Sequence, residues 1–214
     1  MSSQNLLRLS GNALLAGSVL YIISDVLNIV FNSQSSDAPP PFVAILGLIA
    51  TMLLIMGLPG FLVRQARKVG TLGLIGWIVF LCSAMLGIGL LANAAAFLPA
   101  MPAQNSQAAQ DAAPPVSILA FILAMVVTQL VGGILLGIAT IRAHVFSPWI
   151  GWLLIVSSVV SAAAFPLEGM VNTVVITLSD LLLFIALGWS GHNLTRTSQD
   201  TAQEALSSTR TVGA

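Results

Sequence analysis

Six apolar segments, at about 10–31, 42–63, 72–98, 115–141, 148–166 and 171–191, are each long enough to cross a hydrocarbon layer roughly 30 Å thick. In lipid every backbone N–H and C=O must be satisfied without water, which leaves helices or a closed barrel. The segments are roughly twice as long as a barrel strand. The expected fold is therefore an all-α integral membrane bundle of six transmembrane helices over residues 1–191. The remainder, 192–214, "HNLTRTSQDTAQEALSSTRTVGA", is expected to be a disordered cytoplasmic tail, because it has too little apolar surface to fold alone. Composition agrees: 7% of the 214 residues are charged and 57% are hydrophobic, where a soluble domain carries about a quarter charged residues.

Punctuation between the segments follows backbone chemistry. Pro41, Pro115 and Pro148 stand near the first turns of the second, fourth and fifth segments, where a missing N–H costs nothing. Gly70 followed by Thr71 reads as a helix stop and a new N-cap. The 97–114 segment has no patterned core and is expected to be a mobile outer loop.

Orientation follows from the basic residues, which are retained on the cytoplasmic side of short loops. Arg8, Arg64, Arg67, Lys68, Arg142, Arg196 and Arg210 all fall on one side, and Asp37, Asp111 and Glu168 on the other. The expectation is a cell-membrane, multi-pass protein with both termini cytoplasmic. Trp77, Trp149, Trp152 and Trp189 fall toward the same end, as one half of an interfacial aromatic belt. A signal peptide in place of the first helix is disfavoured by its length, by Asp25 and by the lack of a clear small-residue cleavage site. Zero net charge leaves no basic field for nucleic acid, and the single Cys82 excludes both an intramolecular disulfide and a clustered thiolate metal site.

The chain repeats itself. Arg8 to Gly17, Arg67 to Gly76 and Arg142 to Gly151 share a nine-residue spacing, and the odd-numbered segments end in "NIVF", "AAAF" and "AAAF". Three related helical hairpins, repeated in parallel about an axis along the membrane normal, would produce this pattern. So would the topological demands on any helix that starts inside, and both readings stay open.

Two acids lie within apolar runs: Asp25, in "YIISDVLNIV", and Asp180, in "VITLSDLLLF". Even on the milder insertion scale an Asp at a helix centre costs about 2.5–3.5 kcal/mol, so such a residue is a functional hypothesis by default. Counting from Arg8 and Arg196 at 1.5 Å per residue puts both about 25 Å from the arginine end. They face each other if the first and last helices close the bundle. With no base at that depth, the states open to them are a neutral acid, two acids sharing a proton, or an anion holding a cation. Gly11, Ser18, Asp25 and Asn32 recur every seven residues, with Tyr21 and Asn28 beside Asp25, and Thr173, Thr177 and Asp180 form a shorter stripe. The candidate binding seam is therefore Asp25, Asp180, Tyr21, Asn28, Ser18, Thr177 and Thr173. The competing reading makes the acids interhelical glue.

Gln129 and Asn93 are further candidate polar residues, and Gly132, Gly133 and Gly137 read as a close-packing face. His144 and His192 suit helix C-termini at the interface better than a haem or metal site. Nucleophile–base pairs, P-loops, HExxH and GxSxG are absent. The acids also lack the Gly-rich flanks of intramembrane aspartyl proteases. No enzymatic activity, cofactor or metal is expected. The partners open to the chain are membrane lipids, a small molecule or ion, and a second copy of itself.

The stretch "IRAHVFSPWIGWLLIVSS" followed by "ITLSDLLLFIALGWSG" resembles the C-terminal half of a group of uncharacterised bacterial multi-pass membrane proteins. In that group a basic loop with Pro leads into a helix, and a last helix carries an acid some eleven residues before a Gly, here Asp180 and Gly191. The resemblance covers about the last 60 residues. It implies a multi-pass fold and no substrate. The functions to be weighed are a small transport or permeation protein coupled to protons or cations, and a non-transporting module that binds a lipid, pigment or partner protein.

Overall fold

The computed structural model describes residues 3–34, 40–96, 116–167 and 169–212. All the described elements are helices. α1 is Ser3–Gln34. The run Pro41–Ala96 is broken at Gly70, whose φ of 61° and ψ of −163° lie outside the helical region, giving α2 (41–69) and α3 (71–96). Glycine adopts such a φ without the Cβ penalty, which is why the stop falls there. α4 is Val116–Ala143, α5 Pro148–Ala164 and α6 Gly169–Val212. Pro41 and Pro148 open α2 and α5 as expected.

Two boundaries differ from the sequence reading. α5 has 17 residues, whereas the other five spans have 25 to 28, so it does not match the length of its neighbours. The backbone of 192–212 continues α6 as helix. Extending an existing helix avoids the costly nucleation step, and polar residues such as Gln, Glu and Arg propagate it well. The 97–114 segment lies outside the described residues.

Each helix packs antiparallel against the next, and α6 packs against α1, closing a ring. Large side chains point outward: Val19, Ile23, Val26 and Val30 on α1, and Ile45, Ile49, Met52 and Met56 on α2, are exposed. The interior holds Gly and Ser with a core of Leu14, Leu58, Phe61, Leu136, Ile150 and Leu154. This distribution suits an apolar solvent, in which small residues bring backbones together and large ones face lipid. The protein is a membrane-embedded, multi-pass helical bundle.

Glycines make the closest approaches. Gly132 lies against Phe80 of α3 and Gly133 against Ser158 of α5, so two adjacent positions on α4 serve two neighbours. Gly137 and Gly151 bring the main chains of α4 and α5 together, and Gly11 and Gly191 do the same for α1 and α6.

Each hairpin is also pinned by one serine hydroxyl. Ser24 Oγ donates to the Val43 carbonyl across α1 and α2 at 2.9 Å, Ser83 Oγ to Met125 across α3 and α4 at 3.2 Å, and Ser179 Oγ to Ser157 across α5 and α6 at 2.9 Å. Ser24, Ser83 and Ser158 each stand sixteen residues after Arg8, Arg67 and Arg142, which extends the repeat. The third hairpin departs from it, since the bonded hydroxyl there comes from α6. Trp149, Trp152 and Trp189 are exposed at the arginine end. Trp77 is instead half-buried and donates its indole N–H to the Leu58 carbonyl at 3.2 Å, joining α2 to α3.

Candidate functional site

The seam between α1 and α6 is built in layers. Gly11 meets Gly191 nearest the arginine end, and Ser18 follows opposite Gly188, where an added Cβ would lie 3.3 Å from the Ser18 Cβ. The Tyr21 and Phe184 rings stack next, with centroids 4.0 Å apart and planes 29° from parallel. One helical turn beyond the rings stand Asp25 and Asp180. Asp180 stands within electrostatic reach of Asp25, and the Tyr21 hydroxyl within reach of both acids. The structure thus unites Tyr21, Asp25 and Asp180, which the chain contributes from its two ends.

Asp25 Oδ2 is buried and has no hydrogen-bond partner, and the same is true of the Ser18 hydroxyl. Among the described residues no basic side chain acts on either acid. A buried carboxylate oxygen left unpaired in an apolar bundle is costly, and a proton, a cation or a water relieves that cost. Asn28 is half-buried one turn beyond Asp25 and takes part in an interaction of its own. Thr177 is buried, but its hydroxyl donates to the Thr173 carbonyl at 2.9 Å; Thr173 in turn reaches back toward Gly169. The threonine stripe is therefore partly occupied with its own helix. The side chain of Asn32 lies outside the described residues.

Gln65 escaped the sequence reading. It is fully buried on α2, and neither its Oε1 nor its Nε2 has a partner. It lies between Phe61, whose ring stacks on Phe146 at 5.0 Å, and Val69, which packs with Ala139 and Ala143. The spacing of Leu58, Phe61, Gln65 and Val69 was readable as one inward face. Its setting in "VRQARK" reads instead as a hydrated helix end. Gln129 is half-buried, and the side chain of Asn93 lies outside the described residues.

His144 sits exposed in the turn after α4 at a φ of 50°, and His192 is exposed on α6. Among the described residues, no group of three His, Cys, Asp or Glu side chains is placed to hold a metal. No family model matches the chain, and neither the curated proteins nor the solved structures contain a match to it.

Proposed function

We propose that the protein is a small transport or permeation protein of the cell membrane, coupled to protons or cations through Asp25 and Asp180. The observation that carries this reading is the unpaired, buried Oδ2 of Asp25 at the level of a second acid, with no base among the described residues to neutralise them. Glue is the weaker alternative for a specific reason. The three hairpins are joined by serine hydroxyls donating to carbonyls, which join helices at far lower desolvation cost than two carboxyls.

Both termini are placed on the cytoplasmic side in this proposal, on the strength of the one-sided basic residues. The likeness to uncharacterised bacterial multi-pass proteins belongs to the same proposal and adds no substrate. Neither catalysis nor a cofactor is part of it. The non-transporting module that binds a lipid, pigment or partner protein draws support from the tight Gly11–Gly191 contact, which favours a fixed seam.

Reconstitution into liposomes carrying a proton or alkali-cation gradient, read by an internal dye, decides between them. Transport predicts a protein-dependent flux that Asp25→Asn or Asp180→Asn lowers on the order of ten-fold or more, the loss of an interaction worth about 1.4 kcal/mol. A flux indistinguishable between wild type and both variants sinks the proposal.

A further inference from the structure

The α1–α6 seam changes character at the level of the two acids. Toward the arginine end it is closely packed. The Tyr21 and Phe184 rings, 4.0 Å apart, are in van der Waals contact and admit no water between them. Beyond them come the buried Leu187 and Leu14, and then the main-chain contact of Gly11 with Gly191. Of the buried hydroxyls in that stretch, that of Ser190 donates to the Leu187 carbonyl of its own helix at 2.7 Å, and that of Ser18 has no partner. A bound water needs about two to four polar partners, so an isolated hydroxyl does not sustain a hydrated path.

Toward the opposite end the seam is polar. Asn28 stands one turn beyond Asp25, and Thr177 and Thr173 stand one and two turns beyond Asp180. The Thr173 hydroxyl reaches the protein surface. α5, which flanks α6, ends at Ala164, and the chain turns through Phe165 and Pro166 before α6 begins at Gly169.

We infer that the Tyr21–Phe184 stack is a barrier that closes the acid pair toward the arginine end, so that Asp25 and Asp180 meet water from the opposite end, past Asn28 and Thr177. The inference deepens the reading of the acids as coupling groups and rests on it for its purpose. Tyr21 thereby has two parts: its ring seals the seam and its hydroxyl sits in the field of both acids. A protein that moves an ion past this point must separate the two rings.

The test is thiol accessibility in the full-length protein with Cys82→Ser, reconstituted in liposomes. Single cysteines are introduced as Ser18→Cys, Asn28→Cys or Thr177→Cys, and a charged methanethiosulfonate reagent is supplied on both sides of the membrane. Asn28→Cys and Thr177→Cys should react. Ser18→Cys should react on the order of ten-fold or more slowly, because thiolate formation requires water. Tyr21→Ala should erase that difference and Tyr21→Phe, which keeps the ring, should preserve it. An unchanged Asn28→Cys rate in the Tyr21→Ala protein shows that the bundle is still folded.

Equal reactivity of Ser18→Cys and Asn28→Cys with Tyr21 intact overturns the barrier, as does a Ser18→Cys that stays slow after Tyr21→Ala. If the barrier fails while the flux still depends on Asp25, the coupling role of the acids stands. If the accessibility pattern holds while no flux is found, the barrier stands and the transport reading falls.

Discussion

The main chains of α1 and α6 touch at Gly11 and Gly191: a Cβ on Gly11 would lie 2.8 Å from the Gly191 carbonyl oxygen, and one on Gly191 would lie 2.6 Å from that of Gly11. The pair Gly137 and Gly151 repeats this reciprocal contact between α4 and α5, at 2.7 and 2.6 Å. In both cases the obstacles include backbone, which cannot rotate away as a side chain can. The ring of helices is closed by these contacts.

Gly11→Ala and Gly191→Ala are each expected to destabilise the bundle by about 1–3 kcal/mol, the ordinary range for overpacking. Thermal unfolding in detergent would read this as a lowered midpoint. Gly87→Ala is the matched control, because its nearest neighbour would be the Met125 sulfur at 4.0 Å. It should be neutral or slightly stabilising, as alanine favours helix.

Ser24→Ala, Ser83→Ala and Ser179→Ala each remove one interhelical hydrogen bond. In membranes such bonds average about 0.6 kcal/mol, so each single change should lower the unfolding midpoint only slightly. The three sites lie in different hairpins, and their effects should add. A triple variant no weaker than any single one would mean that these hydroxyls do not hold the hairpins.

Gln65→Met should raise stability. It replaces a buried amide with two unpaired atoms by an apolar side chain of similar reach. Leaving such a group unsatisfied costs about 1–3 kcal/mol. A lowered melting temperature would show that water or another polar group satisfies Gln65 in the membrane.

Asp25→Asn and Asp180→Asn should not be independent. Residues that share one electrostatic environment typically show coupling of about 0.5–3 kcal/mol in a double-mutant cycle. Melting curves of the two single variants and the double variant measure that coupling. Strict additivity would mean that the two acids act separately, whatever their closeness.

The boundaries that were legible in the sequence are those set by a residue's own backbone. Pro41, Pro148 and Gly70 act locally and need no neighbour to be known. The common level of Asp25 and Asp180 was legible in the sequence, since equal distances from Arg8 and Arg196 fix one depth, and the packing of α1 against α6 supplies the rest. What stayed hidden depends on azimuth. Trp77 shares its spacing from an arginine with the exposed Trp152, yet it turns toward α2 because the Leu58 carbonyl is there to receive it. Gln65 was concealed by its basic neighbours, and the α6 extension by a composition that suits both an unfolded tail and a continuing helix. The pinning serines were visible as a spacing, but serine is too common in such segments for the spacing alone to assign a bond.

The 17 residues of α5 span about 25 Å at 1.5 Å per residue, several ångströms short of a typical hydrocarbon core. Beside this helix the bilayer must thin, or Trp149 and Trp152 at its start must be drawn inward, at fractions of a kcal/mol per ångström. Acyl chain length therefore acts differently on α5 and on the longer helices. Shorter-chain lipids should relieve α5 while leaving the longer helices to tilt, so the thickness of the host membrane decides which helices carry the mismatch.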